Sequence, residues 1–417
     1  MEKIAVIGAG ISGLSIGRLL KDKYHVLIFE TESRPGGLVK CDIVNGSLFH
    51  RTGGHVFNTK RKDVFDWFWK HFDCDKEYVK TLRNSSVFLS EDLIVPYPIE
   101  NHVYCLNETI AKSFIDDALA IFKESNKKAD NFKDFLLNRF GKTLYELYFK
   151  PYNCKVWRRD LSKVPLAWLE GKLPMPSVEE MIYNNMFHIE ERKFVHSSFY
   201  YPKQGGSQFV ADRLAEGLDI CYGIKISQLY RTGNKWKVNG LEFDKVIFCG
   251  NIKQVPALLA GQLNLSAYCR HIDELEFHGT TSVFCEISPN PYSWIYLPNQ
   301  DYESHRIICS GNFSDSNNLN GRMTGTVEFT DFISEEGIKE NLRKMPLSPV
   351  YLKHHYEKYT YPIQDVKARL MIQSLKDFLS GYGVFLLGRF AEWEYYNMDA
   401  AMGAALDLSK RLINEEN

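Results

Sequence analysis

The stretch Lys3-Ile4-Ala5-Val6-Ile7-Gly8-Ala9-Gly10-Ile11-Ser12-Gly13 runs from an apolar, β-branched segment of strand length into a glycine turn. Leu14, Ile16, Leu19 and Leu20 follow at helical spacing, and His25-Val26-Leu27-Ile28-Phe29 forms a second apolar run that ends on Glu30. A bare Gly-x-Gly-x-x-Gly also occurs as an ordinary tight turn. Here strand, turn, helix, strand and terminal acid stand in the order that a dinucleotide site requires. Gly8 permits the turn, Gly10 lets a pyrophosphate approach the backbone, and Gly13 lets the helix pack closely on the strand. The free N–H groups and the positive end of the helix dipole favour a diphosphate. Glu30 can accept from both hydroxyls of a ribose and would repel a 2′-phosphate.

Composition sets the wider frame. A chain of 417 residues is long enough for two or three domains with cores of their own. A net charge of −1 gives no electrostatic reason to expect nucleic acid or an anionic membrane as partner. The nine cysteines are scattered without a Cys-x-x-Cys pair, which argues against a disulfide framework and against a zinc site. The chain starts on a strand rather than a signal peptide, and no apolar run reaches the length of a membrane span. The expectation is a soluble, cytoplasmic protein with reduced thiols and no metal.

Along the chain, Cys41 to Phe49 reads as a hairpin turning at Asn45-Gly46, and Lys62 to Phe72 as a helix. Ser86 to Pro98 reads as paired strands, and the pattern turns helical from about Val103 to Met186. Strands are expected at Lys225 to Tyr230, Lys235 to Val238 and Lys245 to Cys249, with a turn at Gly250. Ser282 to Ile287, Trp294 to Leu297 and Arg306 to Ser310 suggest an antiparallel sheet over a pocket. A strand ending at Gly388-Arg389 then precedes a last helix from about Met398 to Ile413. With no internal repeat, the domains must interleave.

Several islands resemble known flavoproteins. Glu30-Thr31-Glu32-Ser33-Arg34-Pro35-Gly36-Gly37 is similar to the second FAD signature of the amine-oxidase and mutase flavoproteins, which favours FAD over NAD. Leu387-Gly388-Arg389-Phe390-Ala391-Glu392-Trp393-Glu394-Tyr395-Tyr396-Asn397-Met398-Asp399 resembles the C-terminal motif of UDP-galactopyranose mutases. Gly54-His55-Val56-Phe57 resembles their histidine loop, and Leu144 to Trp157 their uridine-binding segment. The likeness is dense only in these islands. Protoporphyrinogen-oxidase-like and amine-oxidase flavoproteins are resembled more loosely, through the FAD elements.

The resemblance implies an α/β fold of GR2 type: an FAD-binding Rossmann-like domain, an inserted helical domain and an antiparallel-sheet substrate domain. The FAD-binding parts are expected at 1–102, 191–270 and 361–417, the helical insertion at 103–190 and the substrate sheet at 271–360. It assigns Gly8, Gly10, Ser12, Gly13, Glu30, Arg34, Gly36, Gly37, Leu38, His55, Ile226, Gly388, Arg389 and Met398 to FAD. Phe149, Tyr152, Asn153, Trp157, Lys172, Arg306, Tyr395 and Asn397 are assigned to a nucleotide-diphosphate sugar, with Arg306, Arg389, His55 and Lys172 as the catalytic set. The implied chemistry is a ring contraction through N5 of reduced flavin, kept reduced by NAD(P)H or another reductant. The alternative is an FAD-dependent oxidase or dehydrogenase. The resemblance also allows a homodimer. Three departures bear on the sugar: Lys172 stands where the mutases have arginine, Asn397 where they have aspartate, and Asn58 where the bacterial loop has a second histidine. Lysine keeps the charge but loses the planar fork.

Overall fold

In the computed structural model, which describes residues 1–123, 128–166, 176–189, 198–319 and 321–414, two sheets organise the chain. The first has five strands in the order Val384–Leu386, Lys245–Phe248, Lys3–Ile7, His25–Phe29 and Asp219–Cys221, all parallel. A parallel sheet must be covered on both faces, and side chains along each strand alternate between them. Ile4 and Val6 pack towards the helices Ile11–Leu20 and Met398–Asn414, with Leu14, Met402 and Leu406 in the same cluster. Ala5 and Ile7 pack the other way, against Trp236, Val238 and Phe243 of a small antiparallel sheet. Strands of the parallel sheet come from three separated parts of the chain, and the loops at their C-terminal ends gather on one side.

The second sheet has seven strands in the order Val350–Pro362, Phe277–Ile287, Met323–Thr330, Arg306–Ile308, Trp294–Tyr296, Ser85–Ser90 and Leu93–Pro96. It is antiparallel except where Trp294–Tyr296 runs parallel to Ser85–Ser90. Its last two strands lie within residues 1–102, a stretch read as part of the FAD-binding domain. Their partner strand is remote: Asn84 and Ser293, bonded at the junction, are 209 positions apart. Local alternation reveals a hairpin but not which sheet it joins.

Helices Glu108–Lys123, Phe132–Leu144, Lys150–Trp157 and Val178–Met186 make up the inserted body. Gly141 interrupts the second at φ +80°, where a Cβ would lie 2.5 Å from Asp117 Cβ. The same carboxylate accepts from the Thr143 amide at 2.6 Å, and a π-helical turn, Tyr145–Phe149, follows. A strand expected at Lys225–Tyr230 begins instead at Tyr230. Residues 224–229 are extended without a ladder, fixed by Ile224 N–H donating to Glu30 O and Leu229 N–H to Leu258 O. That segment is spent on the wall of a cleft.

A buried polar chain ties the hairpin to its surroundings. Asn317 Nδ2 donates to the Tyr201 hydroxyl at 3.0 Å, so that hydroxyl's own proton goes to His50 Nε2 at 2.8 Å. Ser207 Oγ donates to Val39 O at 2.7 Å and therefore accepts from His50 Nδ1 at 3.1 Å. Burial, with His55 nearby, lowers the His50 pKa from 6.5 to about 3, so the ring is neutral in the folded protein. The unfolded chain binds a proton on this residue between pH 6.5 and about 3, so stability is fully present above pH 6.5 and falls as acid is added. Urea unfolding from pH 7 to pH 4 should show this slope. In His50→Phe the slope should flatten, and stability at pH 7 should drop by about 2 kcal/mol because Tyr201 and Ser207 lose their partner.

Candidate functional site

At the C-terminal ends of the parallel strands lies a cavity of about 870 Å³. Gly8, Gly10, Ser12, Gly13, Glu30, Gly36, Gly37, Leu38, His55, Ile226, Arg389, Asn397 and Met398 line it, all singled out from the sequence. Gly8 takes φ +109° and donates to Phe29 O at 2.8 Å, which joins the first two strands at the turn. A Cβ on Gly13 would fall 1.9 Å from Gly8 O, so the helix approaches the turn more closely than any side chain permits. A Cβ on Gly10 would meet nothing nearer than Gly37 Cα at 3.9 Å, and Gly10 caps the helix without a side-chain bond. This backbone therefore offers its amides to a ligand from an open face.

Gly36 and Gly37 lie directly against that turn. Gly36 N–H donates to Ala9 O at 2.8 Å, and both glycines have positive φ. Glu30 is fixed by the backbone: Oε2 accepts from the Ala9 amide at 2.7 Å and Oε1 from the Glu32 amide at 2.9 Å. Its remaining lone pairs face the cavity, where a ribose would need them. Arg34 is not on the lining; its guanidinium is held by Asp42 at 2.7 Å on the neighbouring hairpin. Gly388 also lies behind the wall. Its φ is +107°, and a Cβ there would come 2.6 Å from Ser12 Oγ, so its role is to let the strand end close over the turn. Open glycine backbone and a fixed carboxylate at one end of a long cavity fit a dinucleotide.

Cations and aromatic rings cluster around Arg389, which lines the cavity. Arg389 lies over the Tyr395 ring at 4.3 Å and the Tyr361 ring at 5.2 Å, and its Nη1 donates to Tyr396 O at 3.0 Å. Its Nε is buried and bonded to nothing among the described residues. Tyr361 and Tyr395 stack at 5.5 Å with 11° between their planes. Arg306 Nε donates to Glu328 Oε2, and Arg306 Nη2 to the Tyr361 hydroxyl at 2.9 Å. Burial opposes the charge on Arg306, but Glu328, Tyr361 and Tyr152 outweigh it and hold the guanidinium protonated. The other oxygen of Glu328 accepts from the Gly53 amide at 2.9 Å, so one carboxylate fixes both Arg306 and the loop that carries His55.

His55 has its pKa lowered from 6.5 to about 4 by burial and by the charges of Arg389 and Arg306, against carbonyl contacts that favour the proton. It is neutral at pH 7. Its Nε2, sealed from water, has no hydrogen-bond partner among the described residues.

The proposed base-binding residues divide. Tyr152 stands edge-on to Tyr296 at 5.5 Å and stacks on Tyr148 at 5.4 Å, and the charge of Arg306 reaches it. Phe149 stacks on Phe140 at 4.4 Å, and Trp157 is edge-on to Phe132 at 6.4 Å, both within the core of the helical body. Asn153 Nδ2 donates to Phe149 O at 2.7 Å, within its own helix. Lys172 lies outside the described residues. Glu328, Tyr361 and Tyr296 were not singled out from the sequence. A lone acid inside the apolar alternation of Thr326-Val327-Glu328-Phe329 was the available signal for the first.

Residues 6–72 match the family of NAD(P)-binding Rossmann-like domains. A "probable UDP-galactopyranose mutase" of Klebsiella pneumoniae is 27% identical over 219 residues, and the match spans about half of each protein, 50% of this chain and 52% of that one. The UDP-galactopyranose mutase of Mycoplasma genitalium is 21% identical over 438 residues, covering 99% of this chain and 95% of its own. Among solved structures, a reduced UDP-galactopyranose mutase superposes with a TM-score of 0.87 at 19% identity, covering 99% of this chain and 94% of that one. The chain has the UDP-galactopyranose mutase fold. Putrescine oxidase with putrescine bound shares that architecture more distantly, with a TM-score of 0.61 at 14% identity, covering 99% of each chain. Of the departures at Asn58 and Asn397, Asn397 lines the cleft, whereas Asn58 is not on its lining and its Nδ2 donates to Ser198 O at 2.7 Å.

Two glycine variants separate folding from binding. Gly13→Ala should lower the melting temperature of the ligand-free protein, since its methyl group collides with Gly8 O. Gly10→Ala should leave that melting temperature unchanged yet strip the purified protein of bound dinucleotide, read from its absorbance spectrum.

Proposed function

We propose that the protein is an FAD-dependent nucleotide-sugar mutase that interconverts the pyranose and furanose forms of a nucleoside-diphosphate sugar. The observation that carries this reading is the meeting of Arg306, Tyr361 and Tyr395 with Arg389, a residue of the cleft that fits a dinucleotide. The glycine turn, the Gly36-Gly37 pair and Glu30 would hold FAD. When bound and reduced, FAD would supply nucleophilic chemistry for a rearrangement with no net redox change. A reductant such as NAD(P)H maintains that state.

The protein's own part is electrostatic. Arg389 and Arg306 receive the departing diphosphate and hold it for return, which keeps the leaving group within reach of the same carbon. Glu328 orients Arg306 through Nε and Tyr361 through Nη2, which fixes the plane of the fork presented to oxygen ligands. The Tyr395 ring sets the height of Arg389. His55, which lines the cleft, is neutral and adds no third positive charge there. Tyr152, reached by the charge of Arg306, supplies an aromatic contact for the base.

An amine oxidase is the rival within the shared architecture. Two guanidinium groups against one carboxylate leave the mouth positive, which repels an ammonium substrate and attracts an anion. Purified protein reduced with dithionite under anaerobic conditions should bind one of UDP, dTDP or GDP, with a change in flavin absorbance. It should also interconvert the corresponding galactopyranose and galactofuranose nucleotides, resolved by chromatography. Arg306→Ala should retain flavin but lose roughly 10²–10³-fold in kcat. Turnover of a polyamine by oxidised protein, with no response to any nucleotide, would overturn the proposal.

A further inference from the structure

Arg83 lies between the Tyr78–Leu82 and Ser85–Ser90 strands, where the chain crosses into the seven-stranded sheet. Its guanidinium is immobilised entirely by neutral groups. Nε donates to Ser85 Oγ at 2.8 Å, Nη2 donates to the Tyr296 hydroxyl at 2.6 Å, and the plane rests 4.7 Å above the Trp294 ring. No carboxylate among the described residues pairs with it. Several other part-buried arginines are neutralised, Arg34 and Arg51 by Asp42, Arg213 by Glu77, Arg369 by Glu394 and Arg306 by Glu328, whereas Arg18 rests on the Leu214 and Arg213 carbonyls and Arg389 on the Tyr396 carbonyl and two rings. Holding a half-buried cation in one orientation costs solvation and side-chain entropy, and neutral acceptors recover only part of that. The charge is left available for a ligand.

The sheet register says where that ligand lies. Tyr296 is directly opposite Arg306 in the pairing of Trp294–Tyr296 with Arg306–Ile308, so both project from one face, and Trp294 projects from it too. Tyr296 therefore stands between two guanidinium groups, Arg306 on one side and Arg83 on the other. Trp294 in turn abuts the histidine loop: a Cβ on Gly54 would lie 3.2 Å from Trp294 Nε1. Through Trp294 and Tyr296, Arg83 is thus linked both to the loop that carries His55 and to the strand position opposite Arg306. Because it accepts from Arg83, the Tyr296 hydroxyl must send its own proton elsewhere, and Tyr152 and Tyr97 flank the ring at 5.5 and 4.8 Å.

We propose that Arg83 is a specificity-determining residue of the substrate site and selects a nucleotide sugar whose glycosyl ring carries a carboxylate. This rests on the mutase reading: Arg306 and Arg389 take the diphosphate, and Arg83 takes a second anionic group at the sugar end, bidentate where the ligand allows.

The test is equilibrium binding to reduced, flavin-loaded protein. The base is the one that responds in the titration above, and the ligands are the nucleoside diphosphate, its galactose conjugate and its galacturonate conjugate. Wild-type protein should bind the galacturonate conjugate about tenfold more tightly than the galactose conjugate, as one charge-assisted contact allows. Arg83→Gln should abolish that preference, and Arg83→Lys should keep part of it. All three proteins should bind the bare diphosphate equally, which also shows that the variants fold. Equal wild-type affinity for the two conjugates would overturn the role of Arg83, as would a loss in Arg83→Gln that is the same for the bare diphosphate. Failure of every nucleoside diphosphate to bind wild-type protein would instead overturn the mutase reading, and this proposal with it.

Discussion

A single carboxylate, Glu328, links the two halves of the site. It is fully buried on the seven-stranded sheet, and its two oxygens go in different directions: one to Arg306 on the adjacent strand, the other to the Gly53 amide on a loop of the cofactor domain. A buried charge demands partners, and here each partner belongs to a different functional element. The guanidinium cannot swing without releasing the carboxylate, and the carboxylate cannot move without freeing the loop beside His55. The stack of Tyr361 on Tyr395 beneath Arg389 extends the same arrangement to the C-terminal motif.

Seen as a charge distribution, the mouth of the cleft is built for an anion by subtraction as much as by addition. Two arginines bring charge, Glu328 cancels one, and His55 is held neutral by burial and by those same arginines. The result is a localised positive field in a partly dry setting, where each contact counts for more than in water. Such a field suits a group that leaves as an anion and has to be retained.

The dinucleotide cleft was legible because its signals are local. Gly8, Gly10 and Gly13 answer to contacts within a few residues, and Glu30 ends the adjoining strand. Gly36 and Gly37 were legible for the same reason, although Arg34 turned to Asp42 instead of the cleft. Arg306 and Arg389 entered through resemblance, whereas their partners Glu328 and Tyr361 did not, because those pairings join separate strands, 22 and 55 positions away from Arg306. Phe149 and Trp157 show the converse: an aromatic-rich helix reads alike whether its rings hold a base or fill a core, and here both rings pack inward. The sheet that took strands from residues 1–102 was hidden by the same non-locality.

The interleaving of the parallel sheet has a consequence for the order in which the molecule matures. Val384–Leu386 pairs with Lys245–Phe248, and Arg389, Asn397 and Met398 complete a wall whose opposite side is made by residues 8–38. On the ribosome the glycine turn emerges hundreds of residues before the wall that faces it. Until then the growing chain has half a cradle, and from the appearance of Lys245–Phe248 to that of Val384–Leu386 the edge between them is uncovered. A ligand that needs both walls is therefore held only once the last strand and helix have docked.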